Sequence, residues 1–237
     1  MVAGQTYRNL HTLIGSASAP RWVVGAHYDV FGENPGADDN ASGVAVLIEL
    51  ARRLRGHPMK HTALELVAYT LEETPPSPNT NMGSARHARA LSAQRVGVVG
   101  MLSLEMLGYF TDAAHSQRYP LNMMKLVYPH RGNFIAVVGR LQDWRLIRAV
   151  RRAMSPSPLP LRTLAAPVAL PGIANSDHRH FWARGWRAAM ITDTAYYRNP
   201  NYHSAADTAD TLDFARMAKL VDALSSALRR ILASSPQ

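Results

Sequence analysis

Arg21-Trp22-Val23-Val24-Gly25-Ala26-His27, followed by Gly36-Ala37-Asp38-Asp39-Asn40-Ala41-Ser42-Gly43, is the stretch on which the fold turns. The first seven residues are nearly all apolar and too few for a helix, which predicts a short buried strand. A loop rich in Gly and Asp follows. From Ala41 to Arg55, the residues Val44, Leu47, Ile48, Ala51 and Leu54 recur at helical spacing, and Asn40 or Ser42 can cap that helix. Strand, loop and amphipathic helix in this order point to an α/β domain with a largely parallel sheet.

The same alternation continues outward. Strands are predicted at Ala63 to Thr70, Val96 to Leu104, Phe134 to Val138 and Ala188 to Thr192. Helices are predicted at Gly83 to Ala93, Gln142 to Met154, around His178 to Arg184, and from Phe214 to Leu232. Pro75, Pro76 and Pro78 force a loop, Ser155 to Pro171 reads as another, and Thr111 to Asn133 is a long irregular insertion of the kind that often carries function. The expected architecture is a single three-layer α/β/α domain over residues 1–237, with a mostly parallel central sheet.

Composition narrows the chemistry. Of 237 residues, 47% are apolar and 18% charged, which is a globular balance able to build a core. No run approaches a membrane span, and the first residues lack the pattern of a secretory signal, so the default expectation is a cytoplasmic protein. Cysteine is absent, so a metal site would have to use His, Asp and Glu. The net charge of +9 raises the question of nucleic acid. Its arginines (Arg52, Arg53 and Arg55; Arg145, Arg148, Arg151 and Arg152) are spread along predicted helices without interleaved aromatics, and read as solvated faces.

Acidic and imidazole residues fall where these strands end. His27 closes the first strand, Asp38-Asp39 lies in the loop beyond it, and Glu72-Glu73 ends the second. Glu105 ends the third, and His203 follows the last. In open α/β sheets that carboxyl edge is where ligands bind. Two divalent ions held by one shared carboxylate, with further His and carboxylate ligands, activate a water that a free carboxylate can deprotonate. Adjacent glutamates suit such a site, because alternation aims them differently.

These blocks resemble the signatures of the M28 family of di-zinc aminopeptidases. The resemblance is carried by Gly25-Ala26-His27-Tyr28-Asp29, Gly36 to Gly43, Thr70-Leu71-Glu72-Glu73, Ser176-Asp177-His178 and Tyr202 to Asp213, in family order over nearly the whole chain. It implies a zinc-peptidase fold of the phosphorylase/hydrolase-like type and a peptide substrate with a free N-terminus. It further implies that His27 binds the first of two zinc ions and Asp39 bridges both. Glu73 and His203 would bind the second, and Glu72 would be the general base. The remaining ligand, an Asp in many members, falls on Glu105, also a competent oxygen donor.

Further roles follow from position. Asp29 can accept the second ring N–H of His27, and Asp207 can orient His203 or its loop. Tyr202 can stabilise an oxyanion. Tyr109, Phe110, Ile173 and Tyr196, with Tyr197, are candidates for the pocket of the substrate's first side chain. His57, His61, His87, His115 and His130 read as surface residues, His178 and His180 as structural, and Met123-Met124 as cover for apolar surface. A carboxypeptidase, a dipeptidase or a glutaminyl cyclase on the same scaffold, or a non-catalytic binding domain, are the alternatives.

Overall fold

β2 (Arg21–His27) is the pivot of the molecule because it is buried in both directions: Trp22, Val24 and Ala26 enter one core and Val23 the other. In the computed structural model, which describes residues 4–73 and 79–233, six further strands join it. They are β1 (Leu10–Ile14), β3 (Ala63–Tyr69), β4 (Val98–Glu105), β5 (Ile135–Arg140), β6 (Leu161–Ala166) and β7 (Ala188–Thr192). The sheet order is β1-β3-β2-β4-β7-β5-β6. Pairs β2–β3, β2–β4, β4–β7 and β5–β6 are parallel, whereas β1–β3 and β5–β7 are antiparallel.

Helices cover both faces. The core containing Trp22, Leu102 and Ile191 is closed by α1 (Gly43–Leu54), α3 (Trp144–Met154) and α5 (Phe214–Ala233). The opposite core, around Val23, Met101 and Phe134, is closed by α2 (Gly83–Ala93) and α4 (Arg179–Trp182). This is the expected α/β/α sandwich. Among the described residues, no helix is long and apolar enough to cross a membrane.

The two edge strands depart from expectation. β1 is exposed over its first three residues, and β6 lies inside the stretch read as a proline-rich loop. Pro160 and Pro167 flank β6 without entering it, and a strand pairing on one side only does not develop the continuous apolar run of a central one. The expected loop at Pro75, Pro76 and Pro78 lies outside the described residues.

His87 is also not a surface residue. Its Nδ1 meets the Tyr69 hydroxyl at 2.9 Å, and its Nε2 lies 3.4 Å from the buried Glu65, which Arg21 binds at 2.8 Å. Tyr69 itself roofs Gly25: a Cβ there would stand 2.2 Å from the ring. Gly25→Ala is therefore expected to cost about 1–3 kcal/mol of stability, read as a lowered midpoint in urea with unchanged slope.

Candidate metal centre and cleft

The carboxyl ends of β2, β3 and β4 place His27, Glu72-Glu73 and Glu105 on one edge, and loops bring Asp39 and His203 to meet them. His27 is buried, with Nε2 3.3 Å from Asp39 Oδ1 and 3.3 Å from Glu105 Oε1. His203 Nε2 lies 3.2 Å from Asp39 Oδ2 and 3.0 Å from Glu73 Oε1. Asp39 thus offers one oxygen to each imidazole. Ligand atoms of His27, Asp39 and Glu105 lie within 4.8 Å of one another, and so do those of Asp39, Glu73 and His203.

The Asp39 loop is fixed from three directions. Asp207 accepts the backbone N–H groups of Asp38 and Asp39 at 3.0 and 3.1 Å. Asn40 donates to the carbonyl of Leu104 and accepts from the N–H groups of Met106 and Gly43. Ser42 donates to the carbonyl of Asp38 and accepts the N–H of Leu107. The cap of α1 therefore comes from Asn40 through Gly43, while the Ser42 hydroxyl serves the loop. Asp38 turns away, accepting from the Gly108 N–H and from Asn199 at 2.8 Å each, so of the adjacent pair only Asp39 faces the imidazoles.

Two expected contacts take a different form. The Asp29 carboxylate accepts the N–H groups of Glu72 and Glu73 at 3.1 and 3.0 Å, and His27 Nδ1–H meets the Asp29 carbonyl at 3.1 Å. The chain has already left β2 at His27, so Asp29 does not share its strand face. Asp207 orients the Asp39 loop rather than His203. His203 sits at φ +54, in the left-handed region, held by a turn in which Ser204 donates to the carbonyl of Asn201.

Glu105 Oε2 accepts the Ser176 hydroxyl at 2.6 Å, and Asp177 is buried next to it. Residue type alone does not single out Ser176 or Asp177 as site residues; the available signal is the block Ser176-Asp177-His178. Burial, aided by Glu105 and Asp29 and opposed by His27, pushes the Asp177 carboxyl up to about 7. Burial and the neighbours Glu105 and Asp177, against His27, raise Glu72 to about 8. Burial, Asp39 and Glu72 raise Glu73 to about 10. Burial would depress His27, but Glu105 and Asp39 outweigh it and hold the imidazole well above its ordinary value. Burial would raise Asp39, but His203 and His27 hold it well below the carboxylate range.

This crowding is what a cation relieves. The donor set is two imidazoles and three carboxylates, which suits zinc, and the buried Asp39 Oδ1 has no hydrogen-bond partner. The residues fit divalent metal. His178 is no part of it: buried, it meets the Ile173 carbonyl through Nε2 at 2.8 Å and packs on Trp182. Burial pushes its pKa down to about 4, so the folded state binds its proton less readily than the unfolded one. That contribution is complete above the ordinary value of 6.5 and is lost as pH falls toward 4. His178→Gln is expected to flatten the pH dependence of the melting temperature of metal-free protein across that window.

Beside the centre opens a cleft of about 820 Å³, including space open to solvent. Glu105 and Tyr202 stand at its metal end, and Ile173, Tyr196 and Tyr197 form one side. The floor is the sheet face at Phe134, Ala136, Val138, Leu164 and Met190. The insertion supplies the remaining wall through Tyr119, Pro120, Met124 and Tyr128, with the Tyr128 hydroxyl donating to the Thr163 carbonyl. Met124 is thus cleft lining, while Met123 is 70% exposed. Tyr109 and Phe110 are not in the cleft: the Tyr109 N–H binds Asp193, and Phe110 is buried with Arg198 and Arg216 over its ring.

The profile of Peptidase family M28 matches residues 9–228. The uncharacterized protein YfbL of Escherichia coli (strain K12) is 45% identical over 236 residues, 96% of this chain and 72% of that protein. A probable leucine aminopeptidase of Trichophyton verrucosum (strain HKI 0517) is 27% identical over 227 residues, 88% of this chain and 53% of its own. Among solved structures, BSAP, a zinc aminopeptidase from Bacillus subtilis, matches with a TM-score of 0.74 at 21% identity, over 97% of this chain and 51% of that one. This chain spans about half the length of the last two. The family profile begins just before β1, runs into α5 and takes in all five ligand candidates, and the chain belongs to peptidase family M28.

Proposed function

We propose that this chain is a zinc-dependent aminopeptidase that releases residues one at a time from peptide N-termini. The observation that carries the reading is Asp39, presenting Oδ1 to the His27–Glu105 side and Oδ2 to the His203–Glu73 side. His27, Asp39 and Glu105 would hold one zinc ion, and Asp39, Glu73 and His203 a second. When bound, such ions would supply a Lewis acid for the scissile carbonyl and lower the pKa of a bound water.

The chain's own groups supply the rest. Glu72 belongs to neither of those two groups, although its carboxylate also lies within 4.8 Å of ligand atoms of His27 and Glu73, and burial raises its affinity for a proton. It accepts the proton of the attacking water and returns it to the departing amine. Burial and the surrounding carboxylates hold the Tyr202 hydroxyl well above its usual pKa, so at neutral pH it remains an O–H donor, available to the oxyanion. Ile173 and Tyr196 face the first side chain, and the apolar cleft favours Leu, Met or Phe there. The relatives described as leucine and zinc aminopeptidases support the same reaction.

The test is hydrolysis of a panel of aminoacyl-p-nitroanilides by zinc-loaded protein, beside a chelated sample and an N-acetylated substrate. Chelator-sensitive cleavage restricted to free amines, strongest for Leu, Met or Phe, is expected. Silence with zinc bound would overturn the aminopeptidase reading in favour of carboxypeptidase, dipeptidase or cyclase chemistry. A folded protein that takes up no zinc would overturn the metal centre itself.

A further inference from the structure

The two imidazoles of the proposed centre are held by different physical means. A metal-binding histidine ordinarily donates its second ring N–H to a carboxylate, carbonyl or water, which fixes both its tautomer and the plane of its ring. His27 follows that rule through the Asp29 carbonyl. His203 does not: among the described residues both of its polar contacts, to Glu73 and Asp39, are made by Nε2, and none by Nδ1.

Aromatic faces take that place. Phe31 stacks on the His203 ring with centroids 4.2 Å apart and planes within 3° of parallel. Tyr202 stacks as well, with centroids 3.7 Å apart and planes 17° apart. A ring so stacked is free to slide in its plane but not to tilt out of it, and tilting is the motion that would carry Nε2 away from Asp39 and Glu73. Restraint is needed at this position. His203 is a loop residue at φ +54, with no strand to fix its side chain, whereas His27 ends a buried strand.

We infer that Phe31 is a positioning residue for the metal centre, acting through His203 by stacking where a hydrogen bond to Nδ1 would ordinarily act. The inference rests on the function proposed above, since it concerns the ion that Asp39, Glu73 and His203 would share. Phe31 lies in the loop after β2, is 43% exposed and contributes to neither core. Its removal therefore disturbs the ring it covers rather than the fold.

The experiment is zinc titration of the purified chain against a chromophoric chelator, for the wild type and for Phe31→Ala, Phe31→Leu and Phe31→Tyr. Melting of each metal-free variant serves as the folding control. Phe31→Ala is expected to weaken the second of two zinc-binding steps by about 10–100-fold, the usual effect of losing a group that orients a ligand. The first step, at His27, Asp39 and Glu105, is expected to stay unchanged. Phe31→Tyr should restore wild-type affinity, because a flat ring is again present. Phe31→Leu should not, although it covers the histidine with a comparable apolar bulk.

Wild-type affinity at both steps in Phe31→Ala would overturn the inference alone. Equal affinities for Phe31→Leu and Phe31→Tyr would also overturn it, by making Phe31 simple apolar cover. A wild type that takes up no zinc would instead bring down the proposed function, and this inference with it.

Discussion

Replacing Glu72 by Gln is expected to lower kcat by about 10²–10⁴-fold, the range that a positioned general base contributes, while zinc content stays at the wild-type level. Gln keeps the size and hydrogen-bonding reach of the side chain and removes only its capacity to hold a proton. The backbone N–H of Glu72 still binds Asp29, so the turn that presents it survives the change. Stability gives the substitution a second signature. Burial raises the Glu72 carboxyl to about 8, so in metal-free protein the ionised form is disfavoured by folding at pH 7. Its neutral replacement should therefore melt no lower than the wild type at that pH. Turnover, metal analysis and melting together separate a base from a ligand. A Gln variant that kept its kcat would remove Glu72 from the reaction, and one that lost zinc would make it a ligand.

Asp39→Asn should act through the metal instead. The amide retains the shape of the carboxylate and the backbone N–H bonds to Asp207, but has only one oxygen to offer two groups. Zinc content is expected to fall from two ions per chain to at most one, with activity lost along with the missing ion. The metal-free variant should also melt lower at neutral pH. His203 and His27 hold Asp39 well below the carboxylate range, so its ionised form favours the folded state above its ordinary pKa, and that contribution fades in acid. Two zinc ions in Asp39→Asn would break the link between the geometry and the shared-ligand role.

What could be read from residues alone divides along physical lines. The central strands β2, β3, β4 and β7 announced themselves because a strand buried on both faces is a largely apolar run, interrupted in β3 only by Glu65. Polar residues at or just beyond the strand ends then marked the sheet edge, so His27, Glu72-Glu73 and Glu105 could be placed from the sequence, although β3 stops at Tyr69, three residues short of Glu72. β1 and β6 could not, since an edge strand shares its exposure and turn residues with loops. The reversal of β5 against β7 was equally hidden, being a property of pairing rather than of periodicity.

In the site, residue type was legible and direction was not. Asp38 and Asp39 are the same residue side by side, and only the N–H of Gly108 and the amide of Asn199 decide which one turns away. Asp29 and Asp207 stood out as acids near ligands, but both spend their carboxylates on backbone amides. Of the four pocket candidates, Ile173 and Tyr196 line the cleft while Tyr109 and Phe110 do not, Phe110 belonging to the core instead. All four are apolar or aromatic residues near strand ends, and nothing local distinguishes the two pairs.

The clasp between Asp207 and the Asp38–Asp39 amides spans 168 residues of chain, and this sets when the centre can first exist. A ribosome delivers a chain from its N-terminal side, so His27, Asp39, Glu73 and Glu105, four of the five proposed ligands, precede His203 and Asp207. Without Asp207 and His203, the Asp39 loop lacks its clasp and the second imidazole is missing. A growing chain therefore carries His27, Asp39, Glu73 and Glu105 for some time before it can assemble the proposed centre, which is completed only once His203 and Asp207 have been added.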